Sequence, residues 1–330
     1  MVELIEVGIA GLGSYAPETV VTNDDLSKRV DTSDEWIYQR TGIRERRVIA
    51  EGECSGSMAS IASMRAITDA GLTPQDIDLI LCATTTPDNP LPSTACHVQA
   101  DLKAWQAAGY DLNSACSGFV FGFTTAVQFI RTGMYRNVLV IGVESLSTIL
   151  NWDDRNTCVI FGDGAGAMVL RPLEDCAGRG QVLSMSMFCE GGKDDVLQVP
   201  AGGSRMPASL DTVEKKLHYM VMGGNKVYRF AVNTFSKLVK EAVEPYGWDQ
   251  LGLVIPHQVN QRIFEAACER LDLSIDHVYS NIHKYGNTAA ASVPMAYDEA
   301  YRAGVLPKGK LIVSAAFGAG QSWGHFLVRW

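Results

Sequence analysis

Two stretches decide the reading of this chain: Cys116-Ser-Gly-Phe-Val-Phe-Gly-Phe-Thr-Thr-Ala-Val-Gln-Phe-Ile-Arg-Thr-Gly133 and Asn287-Thr-Ala-Ala-Ala-Ser-Val-Pro-Met-Ala-Tyr-Asp-Glu-Ala-Tyr-Arg-Ala-Gly304. Cys116 stands 15 residues before Arg131 and 17 before Gly133, and Asn287 stands 15 before Arg302 and 17 before Gly304. Each Arg-x-Gly closes a helical pattern, with glycine just past the helix where a left-handed backbone is favoured. An apolar strand follows each, Val138 to Ile141 or Leu311 to Val313. Then come a glycine-rich turn, Phe161-Gly-Asp-Gly-Ala-Gly or Phe317-Gly-Ala-Gly, and a closing strand, Ala167 to Leu170 or His325 to Arg329. Upstream, Asp76-Ile-Asp-Leu-Ile-Leu-Cys and Gln250-Leu-Gly-Leu-Val-Ile-Pro are both buried-type strands preceded by a helical segment. Alternating strands and helices, duplicated in this way, imply an α/β fold of two halves packed about a pseudo-twofold axis. The halves span 1–175 and 176–330, joined near Arg171 to Gly180, where Pro172, Gly178 and Gly180 interrupt the pattern. Cys116 and Asn287 then occupy equivalent positions, and both helix starts point to one central site.

The chain has 330 residues, 47% hydrophobic and 20% charged, enough to bury a large core. A net charge of −9 with pI near 5.2 argues against a nucleic-acid binder. Eight cysteines (Cys54, Cys82, Cys96, Cys116, Cys158, Cys176, Cys189 and Cys268) are scattered without a C-x-x-C pair, which suits a reducing cytoplasm. Met1 to Val7 carries acids and no basic leader, and reads as a first strand. The longest nearly apolar stretch, Phe119 to Ile130, contains threonines and a glutamine and is too short to span a bilayer. A cytoplasmic protein without a membrane anchor is expected.

Cys116 sits where the strand-like Tyr110-Asp-Leu-Asn gives way to a helix. A thiol in the first helical turn faces unpaired N–H groups and the positive dipole end, which lower its pKa and make a nucleophile. The competing reading is a small buried core residue. His257, in Pro256-His-Gln-Val-Asn-Gln-Arg, follows a buried-type strand and lies at its C-terminal end, where α/β proteins place chemistry. The other five histidines lie within elements, beside charges or in a polar loop. The Asn287 amide can donate to an oxyanion, or simply cap a helix. Together Cys, His and Asn suggest acyl transfer through a thioester, with neutral donors stabilising an enolate. Gly11-Leu-Gly-Ser lacks a third glycine and meets Pro17 instead of a helix, so it is no dinucleotide fingerprint. Gly162-Asp-Gly-Ala-Gly leads into a strand and is a turn, and Cys96-His97 has no metal-ligand spacing around it.

At Ala115-Cys116-Ser-Gly-Phe, Pro256-His257-Gln-Val-Asn-Gln-Arg and Gly286-Asn287-Thr-Ala-Ala-Ala-Ser-Val-Pro the sequence resembles the β-ketoacyl-acyl-carrier-protein synthase III family. The resemblance runs almost end to end, from Gly11-Leu-Gly-Ser-Tyr-Ala-Pro-Glu through Asp34-Glu-Trp-Ile-Tyr-Gln-Arg-Thr-Gly-Ile-Arg-Glu-Arg to Ser322-Trp-Gly. It implies the thiolase fold, a duplicated five-layered α/β/α/β/α arrangement working as a homodimer without a metal or redox cofactor. It further implies that Cys116 takes an acyl group from acyl-CoA, with the N–H groups of Cys116 and Ala319 as oxyanion hole. His257 and Asn287 then stabilise the enolate formed as malonyl-acyl-carrier protein loses carbon dioxide.

The family's CoA contacts match Thr32, Trp36, Arg40 and Arg155, with Asn225, Val259 and Asn260 along the pantetheine arm. Its contacts to the acidic carrier protein match Arg229, Arg262 and Arg270, although Glu269 stands where a base is expected. The acyl pocket matches Thr85, Leu146, Phe161, Met222 and Phe317, with Leu91 supplied by the partner subunit; leucine there, in place of a bulky phenylalanine, implies room for longer or branched acyl groups. Ala319 and Gln321 depart from the commonest family pattern: Ala319 acts through its backbone, and Gln321 alters pocket polarity. The alternative is a thiolase-fold acyltransferase or specialised-metabolite condensing enzyme using the same Cys-His-Asn set. A biosynthetic thiolase is disfavoured because the last cysteine is Cys268, and a silent scaffold because Cys116, His257 and Asn287 are intact.

Overall fold

The computed structural model describes residues 4–192 and 197–330, with the side chains of residues 224–227 outside the description. The principal strands are β1 (Val7–Tyr15), β2 (Leu79–Ala83), β3 (Ala108–Leu112), β4 (Val138–Glu144), β5 (Gly164–Pro172), β6 (Gln181–Cys189), β7 (Leu251–Val254), β8 (Leu311–Gly318) and β9 (Ser322–Arg329). The helices that frame them are α1 (Asp34–Thr41), α2 (Ser55–Asp69), α3 (Thr94–Leu102), α4 (Gly118–Arg131), α5 (Gly224–Val243), α6 (Gln261–Leu271) and α7 (Ser292–Arg302).

The duplication is visible strand by strand. The first sheet has the order β1-β5-β4-β2-β3, and the second, read from its matching edge, β6-β9-β8-β7. In both, the first two pairings are antiparallel and the next is parallel. The place of β3 is taken in the second sheet by one parallel bridge, Val254 to Val278. Between β5 and β6 the chain makes a short 3-10 turn, Leu173–Cys176.

Five layers follow from where the apolar faces are buried. Side chains of α4 (Phe119, Phe123, Val127) and α7 (Val293, Ala296, Tyr297) pack together between the sheets, against Leu12 and Val140 on one side and Ile312 and Phe326 on the other. Helices α2 and α3 cover the outer face of the first sheet, and α5 and α6 that of the second. β2 and β4 are buried along their whole length, as strands sandwiched between helical layers must be.

Among the described residues the first strand begins at Val7, opposite Pro172 where its partner β5 ends; of the Met1 to Val7 reading, Met1 to Glu3 lie outside the described residues. That strand takes in Gly11-Leu-Gly-Ser. A Cβ on Gly11 would lie 2.1 Å from Ala66 O and one on Gly13 2.4 Å from Ala62 O, so these glycines let α2 lie directly on the strand.

Candidate active site

Cys116 is buried in a single 3-10 turn, Ala115–Ser117, just before α4. The matching turn before α7 is Ala289–Ala291. Ala115 and Ala289 share a left-handed backbone, φ 46° and φ 42°. In each case the alanine N–H donates to an asparagine two residues earlier: Ala115 to Asn113 Oδ1 at 3.3 Å, Ala289 to Asn287 Oδ1 at 2.8 Å. Asn113-Ser-Ala-Cys therefore superposes in pattern on Asn287-Thr-Ala-Ala, which corrects the sequence expectation. Asn287 is the counterpart of Asn113, and Cys116 that of Ala290. Equal spacing to the helix ends misled because α4 has 14 residues and α7 only 11, about one turn fewer. The two turns still converge, since a Cβ on Gly118 would lie 3.6 Å from the Ala290 Cβ.

Two cavities meet at Cys116. One, of about 580 Å³, is lined by Cys116, His257 and Asn287 together with Phe161, Met222, Phe317, Ala319 and Gln321. Arg40, Val259, Asn260, Arg229 and Arg262 also line it. The other, of about 470 Å³, is lined by Cys116, Thr85, Leu146, Ile149, Phe161, Met220 and Ala319. Thus the expected acyl-pocket residues divide: Thr85 and Leu146 face the second cavity, Met222 and Phe317 face the first, and Phe161 lines both. Leu91 lines neither and is 83% exposed. The residue after β8's Phe317 must be small, because a Cβ on Gly318 would lie 2.8 Å from Cys116 N. This close approach sets the end of β8, and Ala319 beyond it, against the Cys116 backbone.

The charge state of the site departs from the expectation for Cys116. Burial pushes the thiol up to about 12, and the nearby Glu144 carboxyl adds to the rise. The helix start acts in the opposite direction, but Cys116 precedes α4 and among the described residues no cationic side chain acts on it, so desolvation dominates. His257 is fully buried and its imidazole is lowered to about 3 by desolvation, so it is neutral. Its Nδ1 lies 2.8 Å from Ser292 Oγ, its Nε2 is buried without a hydrogen-bond partner among the described residues, and the ring stands edge-on to Phe317 at 5.8 Å. Among the described residues no hydrogen bond engages Asn287 Nδ2, so the side chain both braces its own turn through Oδ1 and keeps a donor.

Trp36 lies between two guanidinium groups, with Arg40 4.6 Å and Arg155 5.3 Å from the ring centre. Arg155 donates to Asp31 O at 2.7 Å, and the Thr32 hydroxyl is buried without a partner among the described residues. Thr32, Trp36 and Arg155 line neither cavity, but Arg40 joins their cluster to the one that holds Cys116. Asn260 caps α6, accepting from Arg262 N at 2.9 Å, and donates to Arg40 O at 3.0 Å. The Asn225 side chain lies outside the described residues. Arg270, on α6, donates to Asn233 Oδ1 away from the cavities. Among the described residues no cluster of three or more His, Cys, Asp or Glu could hold a metal ion, and no helix is long and apolar enough to cross a membrane.

Sequence reasoning missed Glu144. It ends the wholly buried β4, and its carboxyl accepts from Thr85 N, Thr85 Oγ1 and Thr86 Oγ1, the hydroxyls at 2.8 Å. Burial raises it from 4.5 to about 7. A lone acid closing the apolar run Val138 to Val143 was the available signal. Ser292 was also missed, as one small residue in an alanine-rich stretch.

The sequence matches the 3-oxoacyl-[acyl-carrier-protein] synthase III family over residues 110–191 and the C-terminal domain of that family over residues 244–330. It is 52% identical to a β-ketoacyl-[acyl-carrier-protein] synthase III of Caldanaerobacter subterraneus subsp. tengcongensis, covering 100% of this chain and 99% of the relative. The crystal structure of 3-oxoacyl-[acyl-carrier-protein] synthase III from Aquifex aeolicus is similar with a TM-score of 0.89 and 43% identity, covering 98% of this chain and 100% of that one. The priming β-ketosynthase of the R1128 polyketide biosynthetic pathway is similar with a TM-score of 0.89 and 33% identity, covering 99% of this chain and 97% of that one.

Proposed function

Since this chain belongs to the 3-oxoacyl-[acyl-carrier-protein] synthase III family of condensing acyltransferases, we propose that it primes fatty-acid synthesis by joining an acyl-CoA to malonyl-acyl-carrier protein through a thioester on Cys116. The observation that carries this reading is that Cys116, His257 and Asn287, drawn from both halves of the chain, line a single cavity.

In the first stage Cys116 Sγ attacks the acyl carbonyl, whose oxygen turns to the N–H groups of Cys116 and Ala319. The carbon–sulfur bond to CoA breaks, and the thiol proton ends on the CoA sulfur. In the second stage malonyl-carrier protein loses carbon dioxide. Asn287 Nδ2 and a protonated His257 Nε2 meet the developing negative charge on its thioester oxygen. The carbanion attacks the Cys116 thioester, the carbon–sulfur bond breaks, and one proton taken from solvent ends on Sγ. Thr32, Trp36, Arg40 and Arg155 hold the nucleotide end of CoA, with Asn225, Val259 and Asn260 along its arm. Arg229, Arg262 and Arg270 meet the acidic carrier protein. The working unit is a cytoplasmic homodimer of chains that each comprise the 1–175 and 176–330 halves, in which Leu91 of each copy closes the acyl pocket of the other.

The similarity to the R1128 priming ketosynthase supports a second reading, in which the same three residues prime a specialised pathway. Identity of 52% to a β-ketoacyl-[acyl-carrier-protein] synthase III, against 33% to the polyketide-priming enzyme, favours the first. The test presents a panel of acyl-CoAs, reads the mass added to the Cys116 peptide, then adds malonyl-carrier protein and follows carbon dioxide. Acylation without carbon dioxide or ketoacyl product would sink the condensing role. Cys116→Ala should abolish acylation; Asn287→Ala should leave it largely intact and block decarboxylation, and equal loss in both stages would contradict this division.

A further inference from the structure

The hydrogen bonds behind His257 bear on which of its two nitrogens holds the proton. Ser292, the first residue of α7, is buried, and its hydroxyl has one proton to give and two lone pairs to fill. Three groups surround it. The hydroxyl donates to Ala289 O at 2.8 Å, the carbonyl one turn back. The Gln258 N–H donates to Oγ at 3.3 Å. His257 Nδ1 lies 2.8 Å away on the remaining lone pair. With its proton committed to Ala289 O, Ser292 can only accept from His257, so Nδ1 carries the hydrogen.

We propose that Ser292 is a positioning residue that holds His257 in the Nδ1–H tautomer, so that a bare Nε2 faces Cys116 as the proton acceptor of the first stage. This deepens the condensing role and rests on it. The chain of donors runs on through Ala289, whose carbonyl takes the Ser292 proton and whose N–H donates to Asn287 Oδ1. One alanine thereby sets both partners of Cys116 in opposite senses, Asn287 keeping a donor and His257 a lone pair. Burial keeps the imidazole neutral at rest, so the two nitrogens share one proton and the partner of Nδ1 decides where it sits.

The proton balance follows. As the Cys116 Sγ bond to the acyl carbon forms, Nε2 takes the thiol proton, and it passes that proton to the CoA sulfur as the second carbon–sulfur bond breaks. In the condensation the solvent proton enters on Nε2, faces the enolate oxygen there, and moves to Sγ when Cys116 is released. Ser292 accepts from Nδ1–H throughout, so the hydroxyl need not rotate.

The test combines nitrogen-15 NMR of the histidine rings in the full-length protein with single-turnover acylation of Cys116. The wild type should show His257 protonated at Nδ1 and bare at Nε2. Ser292→Ala should shift the ring toward Nε2–H and slow acylation on the order of 10²-fold, the scale of one positioned general base, with KM for acyl-CoA unchanged. Ser292→Thr should restore the tautomer and most of the rate. A wild-type ring protonated at Nε2 overturns the proposal, as does a Ser292→Ala enzyme that keeps the Nδ1–H tautomer and the wild-type rate. Should Ser292→Ala fail to fold, the wild-type and Ser292→Thr spectra decide alone. An Nδ1–H ring in a protein that no acyl-CoA acylates would refute the condensing role while leaving the tautomer assignment standing.

Discussion

Gly318→Ala probes the contact that brings the two halves of the oxyanion site together. Gly318 has an extended backbone, φ −159°, which alanine adopts freely, so the substitution adds contact and no strain. The new methyl would lie 2.8 Å from Cys116 N, 3.1 Å from its Cβ and 3.3 Å from its Cα, all on the closely packed turn beneath the nucleophile. Ordinary contact begins at 3.4 Å, so the end of β8 must retreat by about half an ångström, carrying Ala319 N–H away from Cys116 N–H. Displacing one such donor costs up to 10²–10³ in rate, and an error of this size on the order of 10². Overpacking should cost about 1–3 kcal/mol of stability, leaving the protein folded. Single-turnover acylation followed by mass should therefore slow on the order of 10²-fold with little change in acyl-CoA KM. Gly203→Ala, where a Cβ meets nothing within 4 Å, serves as control. A Gly318→Ala enzyme that acylates within about threefold of wild type would show that the two N–H groups do not form the hole.

Three further outcomes are expected. Burial raises Glu144 from 4.5 to about 7, so the native state keeps a proton that the unfolded chain has lost, and stability relative to Glu144→Gln should fall as pH rises through that window. The difference approaches about 3 kcal/mol by neutral pH in urea melts, and a constant difference across the window would refute it. Trp36→Ala removes the ring that Arg40 and Arg155 flank and should raise KM for acyl-CoA about tenfold, leaving acylation by a short pantetheine thioester unchanged; equal effects on both donors would remove Trp36 from the nucleotide end. Arg262→Glu should raise KM for malonyl-carrier protein in a salt-dependent way and spare acyl-CoA acylation, and a loss confined to acylation would contradict the docking role.

Much of the fold was legible because duplication writes the same order of elements twice, and the pairing of Arg131-x-Gly133 with Arg302-x-Gly304 marks true helix ends. What spacing could not reveal was the register at the helix starts. That register depends on the left-handed Ala115 and Ala289, and nothing in an alanine's identity announces a positive φ. Gly11 and Gly13 failed to explain themselves for a related reason: their purpose lies in α2, about fifty residues away, whose backbone they admit. Within the site, Cys116, His257 and Asn287 were readable as chemistry-bearing types near element ends. Ser292 and Glu144 act through partners that only the folded chain supplies, Ala289 O and His257 for one, the Thr85–Thr86 turn for the other.

The charge state of Cys116 shows why those hidden partners matter. A thiol at a helix start invites the expectation of a standing thiolate, yet this one is buried, has no cationic neighbour among the described residues and has Glu144 nearby, and its proton is held more tightly than in water. His257 is equally desolvated and neutral, so the pair rests without charge separation. Such a site gains little from dipoles until substrate arrives. In the proposed first stage the acyl carbonyl supplies the electrophile, the backbone N–H groups stabilise the negative charge that develops on its oxygen, and the thiol proton needs an acceptor at that moment. A neutral imidazole qualifies only if the nitrogen facing the thiol is the bare one. That condition is met by one hydroxyl whose own proton is already spent on Ala289 O, which gives Ser292 a part in the proposed first stage although it touches no reacting atom.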